Sequence, residues 1–346
     1  MAGVEVRSVF KLAEQAYSGL GEGAGALLIS RLLSTHAWKV RPVSLFAEIL
    51  TTVTLPIVVL MALGWFIQTR LDLNVRTLSK LLLNVILPCA LFNFLTSAEL
   101  PLREVWPTVW FTIAQFVCFA ALGWAIAALC RVRAELRPLI ALAFAFANSG
   151  NFGLPVAQLT FPPDYLLHQT LIVSLHSIVI VPYGVLLLAR QSGGLGQSIR
   201  ALLTSPMLLA VAAGIMVKGL DIELPLMITH PIKIISGAYI AIALFTLGAQ
   251  LAETRFSLSH APVWLAVGLK MLLAPALTWG VLLLTGFEAG LIDLLVVAAA
   301  APVGILMAIF ATEYERAPDI AGAMVLISTV LSPITVTAWI WLMRVT

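Results

Sequence analysis

The sequence predicts an all-α integral membrane protein, with ten transmembrane helices in two inverted five-helix repeats and with helices four and nine broken and crossing. Three observations carry this prediction. Of 346 residues, 61% are hydrophobic and 11% charged, with a mean hydropathy of +1.03, whereas a soluble domain is about half apolar and about a quarter charged. Apolar runs of spanning length recur ten times from residue 46 onward. The two halves of the chain also match in order when the sequence is folded near residue 195.

Residues 1–42 stand outside that pattern. Val6, Phe10, Ala13 and Tyr17 recur at helical spacing, followed by a glycine-rich break from Gly19 to Gly25. The run from Ala24 to Leu33 is too short to span and contains Arg31. No small-residue cleavage site follows a clean apolar stretch, so a signal peptide is not indicated. This tail reads as an amphipathic interfacial helix or as an extension from a misplaced start.

The ten expected spans run over 46–69, 77–98, 105–130, 137–161, 165–189, 202–219, 231–252, 261–285, 291–312 and 319–343. Trp65, Trp106, Trp110, Trp264, Trp339 and Trp341 fall toward their ends, as an interfacial belt requires. The links after odd-numbered spans carry ten Lys and Arg residues, among them Arg70, Arg131, Arg200 and Arg316. The opposite links and the C-terminus carry four: Arg103, Lys218, Lys233 and Arg344. The positive-inside rule therefore puts both ends of the ten-helix unit on the outer side of the inner (plasma) membrane. Five further cations in residues 1–42 run against it.

Residues 43–192 and 193–346 form the two repeats. Pro56 and Gly64 match Pro206 and Gly214, and Ala90-Leu91-Phe92 matches Ala243-Leu244-Phe245. Pro107 and Trp124 match Pro262 and Trp279, Pro155 falls opposite Pro302, and Ser177 with Pro182 falls opposite Ser328 with Pro333. Five spans per half is an odd number, so the halves enter the membrane oppositely. Inverted repeats with discontinuous helices are the architecture of secondary transporters.

The centre of the pattern is Ala147-Asn148-Ser149-Gly150-Asn151-Phe152-Gly153-Leu154-Pro155, in the middle of span four. Glycine weakens a helix and proline removes one of its hydrogen bonds. In hydrocarbon such a break survives only where it is buried in protein or lines a cavity. Span nine holds its counterpart, Ala298 to Ala301 followed by Pro302 and Gly304. Half-helix N-termini meeting at such a crossing would favour an anion.

Asn148 and Asn151 lie three residues apart, on nearly one helical face, and their amides both donate and accept. Lys270 lies deep in span eight, where it must snorkel, pair or face water. Under the repeat it falls opposite Gln115. His176, beside Ser177 in span five, reads either as a hydrogen-bonded packing residue or as a titrating contact. The candidate substrate-binding set is Asn148, Gly150, Asn151, Gly153, Pro155, His176, Ser177, Lys270, Pro302 and Gly304.

The net charge of +3 is too small to argue for nucleic acid. Cys89, Cys118 and Cys130 have no metal spacing and read as small core residues. No HExxH, GxSxG or Walker pattern is present, and no nucleophile–base–orienter set is visible, so neither an enzyme nor a cofactor is expected.

The run N-S-G-N-F-G-L-P at 148–155 resembles the asparagine/glycine/proline signature of the auxin efflux carrier family, which includes bacterial permeases and plant PIN-FORMED proteins. The stretches Ala301 to Gly304, Phe310 to Tyr314 and Leu326 to Ser332 are similar to the corresponding family stretches. The resemblance spans residues 46–343. It implies ten helices in two inverted repeats crossing at Pro155 and Pro302, an elevator-like motion, and transport of organic anions such as auxin or dicarboxylates by a homodimer. The short link between the halves favours a prokaryotic type. Leu306 and Met307 stand where many bacterial members carry an asparagine, which leaves the span-nine contacts in doubt. The alternatives are a sodium-coupled carrier of the bile-acid symporter type and a membrane receptor that does not transport.

Overall fold

The computed structural model describes residues 42–99, 101–188, 200, 203–254 and 260–345. The described residues from Glu48 onward form one compact unit, which holds the helix crossing. The helix expected near the N-terminus and most of the link between the two expected repeats lie outside the described residues.

In chain order the helices are α1 (Ser44–Leu71), α2 (Val75–Ser97), α3 (Arg103–Leu129), α4 (Arg137–Ala145), α5 (Leu154–Thr160), α6 (Tyr165–Leu188), α7 (Pro206–Gly219), α8 (Leu226–Glu253), α9 (Ala261–Leu282), α10 (Ala289–Ala300), α11 (Ile305–Glu313) and α12 (Pro318–Val345). Of these, α1, α2, α3, α8, α9 and α12 are long and apolar enough to cross a membrane. The protein is thus an all-α, multi-spanning membrane protein.

Local chemistry sets many of the boundaries. Pro138, Pro155, Pro206 and Pro262 sit in the first turns of α4, α5, α7 and α9, where a missing N–H costs nothing. Asn74 caps α2 by accepting from the Thr77 N–H at 3.0 Å, and Ser205 caps α7 by accepting from the Leu208 N–H at 3.3 Å. Asp72 ends α1 in the left-handed region, at φ 47°. One boundary differs from expectation. The seventh span was expected to open at Pro231, but α8 opens at Leu226 and Pro231 lies inside it, giving up one bond near the helix end.

Two apolar cores divide the fold, and α3, α6, α9 and α12 each run from one to the other. One core gathers Leu139 and Phe144 of α4, Val263 and Ala266 of α9, Met307 of α11 and Met324 of α12. The other gathers Leu91 of α2, Leu154 of α5, Leu167 of α6 and Leu294 of α10. α3 enters the second core at Phe111 and the first at Phe119. α9 runs the other way, from Val263 in the first core to Leu282 in the second. Likewise α4 and α11 belong to the first core, and α5 and α10 to the second.

Cys118 and Cys130 are exposed and Cys89 half-buried, which corrects their reading as core residues. In a spanning helix an apolar side chain is as well accommodated by lipid as by protein, so hydrophobicity alone does not mark the interior. Trp65, Trp106, Trp110 and Trp264 are likewise outward-facing.

α1 and α8 touch backbone to backbone. A Cβ added at Gly64 would collide with the Phe245 carbonyl, and one at Gly248 with the Met61 carbonyl. Without a hydrophobic drive between helices in lipid, such close approach is what holds a pair together. Gly214 of α7 meets Leu95 of α2 in the same manner, an added Cβ lying 2.9 Å from its side chain. A Cβ at Gly280, by contrast, meets nothing within 4 Å. Gly64→Ala and Gly248→Ala should each destabilise the protein by about 1–3 kcal/mol through overpacking. Gly280→Ala should be neutral or stabilise by up to about 1 kcal/mol. Thermal unfolding in detergent measures all three, and equal midpoints would show that the α1–α8 contact is not tight.

Candidate functional site

Between α4 and α5 the chain leaves the helix at Phe146, which is extended at φ −107°, ψ 116°. Between α10 and α11, Ala301 and Gly304 are also extended. The two extended pieces pair with each other, Ala147 opposite Val303, as an antiparallel bridge. The Asn148 N–H donates to the Pro302 carbonyl at 2.8 Å, and the Gly304 N–H donates to the Phe146 carbonyl at 3.1 Å. Each break therefore supplies the partners that the other has lost from its helix. Within a membrane an unpaired backbone group costs several kcal/mol, so neither interruption would be tolerable alone.

The surroundings complete the accounting. The Val303 N–H donates to Ser328 Oγ of α12 at 3.0 Å, and that hydroxyl donates onward to the Val325 carbonyl at 3.0 Å. The Asn148 carbonyl accepts from the Gly153 N–H at 2.8 Å, closing one wide turn over Ser149–Gly153 that leads into α5. Gln169 of α6 donates from Nε2 to the Ser149 carbonyl at 3.0 Å, and the Tyr239 hydroxyl donates to the Gly150 carbonyl at 2.8 Å. His176 Nδ1 and Ser149 Oγ share a hydrogen bond of 3.1 Å, and the imidazole stands edge-on to Phe146, 5.7 Å between centroids. Gly304 is needed sterically, because a Cβ there would overlap the Phe146 ring.

Of the ten predicted positions, Asn148, Gly150, Asn151, Gly153, His176, Pro302 and Gly304 lie in or against the two breaks. Pro155 does not mark the crossing. It sits in the first turn of α5, beyond the wide turn, and the pairing occurs at Ala147 instead. Ser177 faces elsewhere: its hydroxyl donates to the Val173 carbonyl at 2.9 Å and lies 3.7 Å from Met207 Sδ of α7. Asn148 and Asn151 do not share a helical face, since Asn148 precedes the helix with φ −74°, ψ 61°. Both are nevertheless buried, and the Asn148 amide nitrogen has no hydrogen-bond partner among the described residues.

Lys270 is 1% exposed, on a wide turn, Leu269–Leu273, inside α9. Such turns free a carbonyl, and Trp339 of α12 takes it, donating from Nε1 to the Met271 carbonyl at 3.0 Å. Lys270 does not snorkel. It makes no ion pair among the described residues, and its neighbours Leu269 and Met271 pack in the core that holds Phe146 and Val303 of the crossing. Gln115, its expected counterpart, donates instead to Thr278 Oγ1 at 2.6 Å. Gln169, Tyr239, Ser149 and Ser328 are contributors that sequence reasoning missed. Signals were present for three of them: Ser149 lies inside the 147–155 motif, Ser328 falls opposite Ser177 in the repeat, and Gln169 stands two helical turns before His176 on the same face of α6.

A multi-spanning helical protein whose two interrupted helices cross back to back through their own backbones is built like a carrier. The family model described as "Membrane transport protein" matches residues 49–340, and the chain belongs to that family. An uncharacterized transporter of Methanothermobacter thermautotrophicus is 26% identical over 303 residues, 84% of this chain and 97% of that one. The uncharacterized transporter YfdV of Escherichia coli is 26% identical over 321 residues, 84% of this chain and 96% of the other. A probable auxin efflux carrier component 1b of Oryza sativa is 31% identical over 124 residues, 35% of this chain but only 22% of the plant protein. The chain is thus an auxin-efflux-carrier-family permease related to the plant carriers, a transport protein rather than an enzyme.

Ser328→Ala would leave the Val303 N–H buried and unpaired at the crossing, a loss of about 1–3 kcal/mol. Ser332→Ala removes only a bond from that hydroxyl to a carbonyl of its own helix and should cost less. Denaturation midpoints of the two variants decide it, and equal effects would mean that the Ser328 bond to the crossing carries no weight.

Proposed function

We propose that the protein is a secondary active transporter of small organic anions, such as dicarboxylates or auxin-like carboxylates, working by elevator-type alternating access. The carrying observation is an excess of buried donors at the crossing. The Lys270 ammonium has no carboxylate partner among the described residues, and the Asn148 amide nitrogen has no acceptor. Leu269 and Met271, on either side of Lys270, share one core with Phe146 and Val303 of the crossing, while His176 bonds Ser149 and Ser149 follows Asn148, so the donors belong to one neighbourhood. α5 and α11 both begin beside the crossing, which adds the partial positive ends of two half-helices. A carboxylate supplies the acceptors this neighbourhood lacks.

The proposed architecture is ten spans in two inverted repeats, with α4/α5 as the fourth and α10/α11 as the ninth. Opposite running directions of α3 and α9 between the two cores support it, as does the antiparallel pairing of the breaks. So does the equivalence of Gly64 and Gly214: each is pressed against the partner helix of the other half. In this reading the crossing, with α3, α6, α9 and α12, forms the moving bundle in the inner (plasma) membrane. α1, α2, α7 and α8 form the scaffold and the homodimer face, and both ends of the ten-helix unit lie outside. Leu306 and Met307 leave α11 apolar near the crossing, which favours a ligand held mainly by the α4/α5 side.

Uptake of labelled malate, malonate and indole-acetate into proteoliposomes, with and without a pH or Na⁺ gradient, tests the proposal. Saturable uptake of one of them is expected. Lys270→Met and Asn148→Ala should each reduce it about tenfold or more, the scale of one charge-assisted hydrogen bond. Uptake unchanged in both variants would overturn the site. Binding without uptake would favour a receptor, and strict Na⁺ dependence would favour the bile-acid symporter type.

A further inference from the structure

Away from the crossing, a cavity of about 600 Å³ lies among the end of α2, the end of α7 and the start of α8. Its lining includes charges of both signs, Lys218 and Lys233 with Glu99 and Asp221, beside Asn93 and His230. The Lys218 ammonium donates to the Ala98 carbonyl, yet among the described residues no ion pair joins any of these four charges. Opposite charges that share a cavity without pairing are placed to be neutralised by a third party carrying both signs. Sequence distribution makes the clustering pointed. The cation-poor set of links and the C-terminus carries four Lys and Arg residues, and two of them line this one cavity.

The rim is apolar. Of its lining residues, Ile222 and Leu226 are 43% and 69% exposed, and Met227 and Ile234, next in the chain to Leu226 and Lys233, are 82% and 75% exposed, so the cavity opens beside bare apolar side chains at the ends of spanning helices. A soluble zwitterion would have no use for that rim, whereas an amphiphile would. The volume also exceeds what a single inorganic ion needs.

We infer that this cavity binds the headgroup of a zwitterionic aminophospholipid, with its phosphate at Lys218 and Lys233, its primary ammonium at Glu99 and Asp221, and its acyl chains leaving past Ile222 and Leu226. The phosphate receives charge-assisted hydrogen bonds from the two ammonium groups. The lipid's own ammonium donates to the carboxylates, which an anionic headgroup without a cation cannot do. This assignment rests on the membrane-spanning fold and not on the transport proposal.

Native mass spectrometry of the full-length protein, delipidated in detergent and titrated with phosphatidylethanolamine, phosphatidylglycerol or phosphatidylcholine, tests it. Phosphatidylethanolamine should bind about tenfold more tightly than either of the others. Lys233→Gln, which removes no hydrogen bond among the described residues, should weaken it about tenfold. Glu99→Gln should erase the preference over phosphatidylglycerol. Lipid-free unfolding midpoints matching the unaltered protein certify that both variants are folded. Equal binding of the three lipids, or a preference unchanged in both variants, would overturn the inference. So would glycerophosphoethanolamine, which lacks acyl chains, competing at the same concentration as the lipid.

Discussion

Everything near the centre of this protein follows from one constraint: a peptide group in hydrocarbon must find its hydrogen-bond partner within the protein. Two helices stop in the middle of the fold, and each stop frees carbonyls and N–H groups that water cannot reach. The bridge between Ala147 and Val303 lets the two stops pay for one another. That mutual dependence fixes the geometry around it. Gly304 must be bare for Phe146 to pass, and Ser328 must stand where the Val303 N–H points. Gln169 and Tyr239 must reach the Ser149 and Gly150 carbonyls. Five separate helices thereby send a side chain or a backbone strand to the same few residues.

The two apolar cores give the crossing its position. Interrupted helices hand the chain from one core to the other at the crossing, whose Phe146 and Val303 belong to the first core, and α3 and α9 run from core to core as single long helices. A site at that seam is held by packing on both sides. Close glycine contacts between α1 and α8 serve a different purpose, locking two continuous helices together well away from the breaks. The division between a tightly locked pair and a bundle built on interrupted helices is what an elevator-type carrier would use.

Much of this was legible in the sequence because membrane segments announce themselves by composition and because Gly, Asn and Pro are so out of place inside them. The existence of breaks in spans four and nine was readable from residues 147–155 and 298–304. The crossing point in span four was not. Attention fell on Pro155, but proline is harmless in a first turn, and the helix actually ends at Ala145 with no proline at hand. What stops it is the exchange of intrahelical bonds for bonds to Pro302 and Gly304, a tertiary event with no local signature. Ser177 was credited by adjacency to His176, although successive helical residues point about 100° apart. Ser328 and Tyr239 were missed for the converse reason: their partners are backbone groups exposed only once the fold exists.

The polar balance at the crossing carries the remaining step from structure to function. A fold that needed only to satisfy its own breaks could stop at neutral partners, and Gln169, Ser149, Tyr239 and Ser328 already supply them. Lys270 adds a basic group that no carboxylate answers among the described residues, and it is only 1% exposed. Its desolvation costs several kcal/mol, more than a structural ornament would survive. On the proposed reading, a ligand offsets that cost by bringing the negative charge that the described residues lack. Binding then neutralises the site in whichever orientation it is occupied. An empty site, with its charge exposed to low dielectric, disfavours the intermediate positions of a moving bundle. On the proposed reading, Lys270 therefore serves both as part of the binding site and as the reason that movement is tied to being loaded.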